Sequence, residues 1–140
     1  MYNIIRLFTI ALILILSACS LRPNYSDEVR DLNPKQVIEY YVEAQNEHNE
    51  SKIYSTFTGP MLIQTRDYSP EEVVRIISME EASVYEFSSA LSFEEVMVYK
   101  VELGVKPDKN SPEEILSIFY CIVKETKDNS WLIYNSKLAQ

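Results

Sequence analysis

The chain is poor in the residues that most often carry chemistry: two glycines, two cysteines, one histidine and one tryptophan in 140 residues. With only Gly59 and Gly104, no glycine-rich phosphate loop can be built. His48 stands alone, so a metal site would lack the usual imidazole pair and a histidine base would act unaided. Two cysteines do not make a disulfide scaffold. Basic residues are also scarce, 13 against 21 acidic, and the net charge of −8 argues against a nucleic-acid partner. The length allows one domain and little more. A multidomain enzyme, a polytopic membrane protein and a collagen-like chain are thereby excluded.

What is present is unevenly spread. Of the 65 hydrophobic residues, 14 fall within positions 1–18, and the rest of the chain has an ordinary globular share. Arg6 precedes an apolar stretch from Leu7 to Leu16 broken only by Thr9. A ten-residue helix rises about 15 Å, half the hydrocarbon thickness of a bilayer, so the stretch suits an export signal better than a membrane span. Leu16-Ser17-Ala18-Cys19 follows directly.

That tetrapeptide, behind a basic start and an apolar run, resembles the lipobox of bacterial lipoproteins. The resemblance implies a signal peptide over residues 1–18, removed by cleavage before Cys19. It also implies a diacylglyceryl group on the Cys19 sulfur, with fatty acyl chains such as palmitate as the membrane anchor. Transfer of about 0.8 kcal/mol per buried methylene makes one chain marginal and two or three effectively permanent. The expected location is the extracytoplasmic face of the cell membrane, or the outer membrane in a cell that has two. Losing Arg6 makes the mature protein more acidic still, so the acyl chains alone would anchor it. Residues 19–32 lack apolar periodicity and contain Pro23, which reads as a tether reaching on the order of 45 Å.

The folded domain is expected over residues 33–140. Asn33-Pro34-Lys35-Gln36 has the N-cap, N1 proline and N3 glutamine of a capping box, and predicts a helix carrying Val37, Ile38, Tyr40, Tyr41 and Ala44 on one side. A second short helix is expected over Ser51–Phe57, ended by Gly59-Pro60. Ser69-Pro70-Glu71-Glu72 is another capping box, predicting a third helix with Val73, Val74, Ile76 and Ile77 as its apolar face. The same four letters at Ser111–Glu114 precede a β-branched and aromatic run and predict a turn into a strand. From about residue 82 the period becomes two: Tyr85 and Phe87, then Met97 to Val105, then Leu116–Lys124, then Trp131–Lys137. Polar connectors make the last three strands an antiparallel meander. Helices first and a sheet afterwards predict an α+β fold, two or three N-terminal helices packed on a curved, mainly antiparallel sheet.

This element order, closing on Ser130-Trp131-Leu132-Ile133, resembles the nuclear-transport-factor-two-like cone also seen in ketosteroid isomerase, with a cystatin-like helix on a sheet as the related alternative. The resemblance implies a pocket between helices and sheet. Tyr41, Tyr85, Tyr99 and Trp131 are the candidate lining for a small amphipathic ligand, against the plainer reading that such residues are core. Ketosteroid isomerases need a carboxylate base with a tyrosine and a protonated acid as oxyanion donors. The carboxylates here, such as Glu86 and Glu102, fall at expected solvent positions, so that set cannot be assembled. Cys121, flanked by Tyr120 and Ile122, is expected to be buried and unreactive. The glutamate pairs lack the spacing of a calcium loop, and neither a metal set nor a cofactor motif is apparent. The expected role is a non-catalytic ligand-binding or protein-interaction module. The alternative is a small-pocket isomerase or hydratase using tyrosines and a carboxylate.

Overall fold

The computed structural model describes residues 27–59, 72–126 and 129–139. The tetrapeptide Leu16-Ser17-Ala18-Cys19, the start of the stretch expected as a tether and the cap residues Ser69, Pro70 and Glu71 lie outside the described residues. Helices α1 (Asp27–Arg30), α2 (Pro34–Asn46) and α3 (Glu50–Ser55) precede strands β1 (Val73–Ala82), β2 (Glu95–Lys106), β3 (Glu114–Lys124) and β4 (Leu132–Leu138), with a 3₁₀ segment, Val84–Ser92, between β1 and β2. The strands form one antiparallel sheet in sequential order. The architecture is α+β.

Order reaches back into the stretch expected as tether. Val29 on α1 is fully buried and Leu32 packs on the core. Tyr40 ties α1 to α2 by donating to Glu28 at 2.6 Å.

The capping box at α2 is complete: Gln36 N–H donates to Asn33 Oδ1 at 3.0 Å and Asn33 N–H to Gln36 Oε1 at 2.9 Å. The helix buries Val37, Ile38, Tyr41, Val42 and Ala44 against the sheet. Each large apolar side chain so buried contributes about 1.5–3 kcal/mol. Its end is a Schellman motif. Asn49 N–H reaches Ala44 O and His48 N–H reaches Gln45 O, both at 3.0 Å, with His48 left-handed at φ 53°. Asn49 then caps α3, accepting from Lys52 N–H at 3.1 Å.

Helix α3 stops at Ser55, short of the expected Phe57, because the next residues turn to pair with β4. Ile133 N–H donates to Thr56 O at 2.7 Å and Thr58 N–H to Ile133 O at 3.0 Å, forming a parallel bridge at Phe57.

The expected third helix is overturned: Val73, Val74, Ile76 and Ile77 belong to strand β1. The helix-like spacing comes from a bulge. Val74 pairs with Val105 and Ile76 with Leu103, the register then slips, and Met79 pairs with Val101. Val74, Ile76 and Met79 thus join the main core, while Ile77 is the extra residue and is exposed. Two inward residues, an insertion and a third inward residue mimic a 3.6 period, whereas the β-branched composition favours the strand.

The expected alternation at Tyr85 and Phe87 is also not a strand. Ser83 caps the 3₁₀ segment by accepting from Tyr85 N–H, and Phe87 kinks it at φ −132°. Phe87 and Ala90 are driven onto Val98, Cys121 and Val123, on the sheet face opposite the helices. Lys137 of β4 fastens the segment, donating to Glu86 O at 3.0 Å and Oε2 at 2.7 Å while lying over the rings of Phe87 and Phe119. The helices therefore cover one face, and this connection covers one end of the other. Coverage on both sides explains why Tyr120, Cys121, Ile122 and Val123 are consecutively buried in β3.

Candidate functional site

Tyr41 and Tyr99 come together on the helix-covered face. Tyr99 is the cross-strand partner of Tyr120, whose ring meets Tyr41 edge-on at 6.1 Å; Tyr41 also packs on Phe57 at 5.1 Å. All four are buried in one core cluster. The Tyr41 hydroxyl accepts from Gln45 Nε2 at 2.8 Å. Burial, and secondarily Glu81, pushes the Tyr99 phenol above its ordinary value, and Lys35 lies 5.7 Å over its ring. Trp131 stands at the border of the cluster, half-buried, with Lys124 at 4.8 Å over its indole. Tyr85 is 80% exposed on the 3₁₀ segment and lines nothing with the others. The structure thus joins two of the four candidates, leaves Trp131 at the edge, and sends Tyr85 elsewhere.

Among the described residues the buried polar side chains, beyond tyrosine, are Gln45, Ser55, Thr56 and Thr58. No carboxylate is among them. The described residues hold no group of three or more histidine, cysteine or acidic side chains close enough for a metal ion. Cys121 is fully buried, and burial pushes its thiol up to about 12. None of the described helices is long and apolar enough to cross a membrane.

A groove of roughly 310 Å³ opens on the other face of the sheet, beyond the reach of the 3₁₀ segment, lined by Val73, Arg75, Gly104, Lys106, Lys109 and Glu113. Strand pairing builds it. Arg75 of β1 is opposite Gly104 of β2, and Gly104 is opposite Ile115 of β3. Glu113, just before β3, folds across the bare Gly104 backbone. A Cβ at position 104 would fall 2.6 Å from its carboxyl group, so glycine here permits a close approach. Arg75 grips that carboxylate with both arms, Nε at 2.7 Å and Nη2 at 2.6 Å. The hydrogen bond from Arg75 holds the Glu113 carboxyl below the usual carboxylate range and raises the guanidinium in return. The preceding turn positions the pair: Asp108 accepts from the N–H groups of Asn110 and Ser111, at 2.7 and 2.8 Å, and from the Ser111 hydroxyl at 2.6 Å. These bonds, the one from Ser111 Oγ foremost, hold the Asp108 carboxyl below its ordinary value.

None of these groove residues was a candidate site residue in the sequence. Two signals were available there: a lone glycine within an alternating strand, and a second Ser-Pro-Glu-Glu whose first glutamate precedes the strand rather than entering it.

No protein-family model matches the chain, and no curated protein matches it.

Proposed function

We propose that the protein is a lipid-anchored extracytoplasmic lipoprotein whose α+β domain, of nuclear-transport-factor-two-like or cystatin-like type, is a non-catalytic module for binding a ligand or another protein. The lipobox Leu16-Ser17-Ala18-Cys19 supports the anchor. The observation that carries the binding role is the interlocked cluster of Tyr41, Phe57, Tyr99 and Tyr120. The tyrosines that an isomerase-type pocket would use as oxyanion donors are core side chains here, packed on one another, and the Tyr41 hydroxyl is engaged by Gln45. Recognition therefore falls to the outer surface of the domain. Among the described residues, the half of the sheet that the 3₁₀ segment does not reach, with its charged groove, offers such a surface.

Metabolic labelling with a clickable palmitate analogue tests the anchor: the wild-type chain takes up label and Cys19→Ala does not. Equal labelling of both would defeat the lipobox argument. Cross-linking and capture of the membrane-bound form from its own cells tests the binding role. Turnover of a small carbonyl compound, lost in Tyr99→Phe, would instead establish the isomerase or hydratase alternative.

A further inference from the structure

This inference rests on the reading that the domain acts by binding at its outer surface, and it concerns the groove beside Arg75. Most of the lysines that can be followed in this acidic chain are matched to a carboxylate or a ring. Lys52 pairs with Glu47 at 2.9 Å, Lys124 with Glu95 at 3.2 Å and Lys137 with Glu86 at 2.7 Å, and Lys35 lies over Tyr99. Lys100, Lys106 and Lys109 make no ion pair within the described residues, and the last two line the groove together. Lys106 acts on the Glu113 carboxylate only from beyond ion-pair distance, as a charge secondary to Arg75. The nearby carboxylates are already engaged, Glu113 by the fork of Arg75 and Asp108 by its own turn. The groove thus presents two ammonium groups beside the Arg75–Glu113 ion pair, whose carboxylate lies across the Gly104 backbone.

That arrangement has a chemical preference. The planar, bidentate site that suits a carboxylate is the guanidinium, and Glu113 fills it. What is left is a pair of compact, mobile point charges, suited to an anion with several oxygens and more than one negative charge. We propose that the groove binds the phosphate group of a small soluble molecule, with Lys106 and Lys109 as the binding cations and the Arg75–Glu113 pair as its rigid wall. A lipid headgroup offers the same chemistry, but a chain of net charge −8 is repelled from an anionic bilayer, which favours the soluble source.

The two glycines provide a direct readout. The full chain, labelled with ¹⁵N-glycine in neutral detergent micelles, should give two backbone signals, and Gly59→Ala, a position with open space around it, assigns them. Titration with inorganic pyrophosphate at constant ionic strength should move Gly104 saturably and leave Gly59 in place, with a dissociation constant on the order of 1 mM. The double variant K106Q/K109Q should weaken binding roughly tenfold or more. An unmoved Gly104 up to about 20 mM pyrophosphate would overturn the proposal. So would an equal shift with sodium chloride, or unchanged affinity in the double variant. A shift of Gly104 with phosphatidylglycerol vesicles but not with pyrophosphate would overturn the assignment to a soluble ligand. If pyrophosphate fails while captured partners still cross-link at the open sheet face, the phosphate site falls and the binding-module reading stands.

Discussion

Asn46 is the joint between the helical layer and the edge of the sheet, and replacing it should show how much that joint is worth. It is the last residue of α2, and its side-chain amide meets the backbone of Val74 twice, Nδ2 donating to the carbonyl at 2.7 Å and Oδ1 accepting from the N–H at 2.8 Å. The amide occupies the place a neighbouring strand would take on the outer edge of β1. Two neutral hydrogen bonds are worth about 1–3 kcal/mol together. Their partly buried setting lets water replace some of that, and alanine is the better helix former by up to about 0.7 kcal/mol. Asn46→Ala should therefore cost about 1–2 kcal/mol. Asn46→Asp should cost more, because it keeps the acceptor for Val74 N–H but turns a second acceptor on the Val74 carbonyl. Urea unfolding of the full chain in detergent, followed by the fluorescence of Trp131, the single tryptophan, gives both values. An Asn46→Ala loss below about 0.3 kcal/mol, or an aspartate milder than alanine, would refute the joint.

The other predictions are more local. His48→Gly should stabilise the chain by about 0.5–1 kcal/mol, seen as a higher urea midpoint, because glycine enters the left-handed C-cap conformation without the Cβ penalty. Cys121 should resist iodoacetamide at about pH 8 in the native chain and react in urea, as read by mass spectrometry of its peptide. Its folded pKa is raised to about 12 from an ordinary 9.0, so the unfolded chain ionises first and stability is lost as pH rises above 9.0. Glu113 and Asp108 have the opposite sign. Both are held below ordinary values of 4.5 and 3.8, so their contribution is complete above those values and disappears as pH falls through the lower folded ones. Glu113→Gln with Asp108→Asn should flatten the acid limb of a stability–pH curve, and an unchanged limb would exclude these groups as its source.

The legible part of the fold was the part encoded locally. The capping box at Asn33 needs only four consecutive residues, and its two reciprocal hydrogen bonds are those the letters imply. Strand β2 alternates from Met97 to Val105, β3 and β4 are rich in β-branched and aromatic residues, and all three lie between connectors that cannot continue them, so the meander could be read. β1 could not, because its bulge at Ile77 is a property of its register against β2 and gives the apolar positions a helical rhythm. The Tyr85 and Phe87 alternation failed for a related reason: what places Phe87 is a patch of Val98, Cys121 and Val123 that exists only after β2 and β3 pair. The groove was least legible of all. Arg75 and Glu113 are 38 residues apart, and the meaning of Gly104 depends on a carboxylate laid across it by the next strand. Local pattern reveals elements; a site assembled across three strands appears once register is known.

We propose that this α+β domain is held at a membrane surface by lipid on Cys19, and intact mass spectrometry of the chain extracted from membranes of its own cells reads out that anchor. The expected mature protein begins at Cys19, lacks residues 1–18 and carries the added mass of a diacylglyceryl group, with or without a further acyl chain. A chain that retains residues 1–18, or begins at Cys19 without added lipid mass, would contradict it.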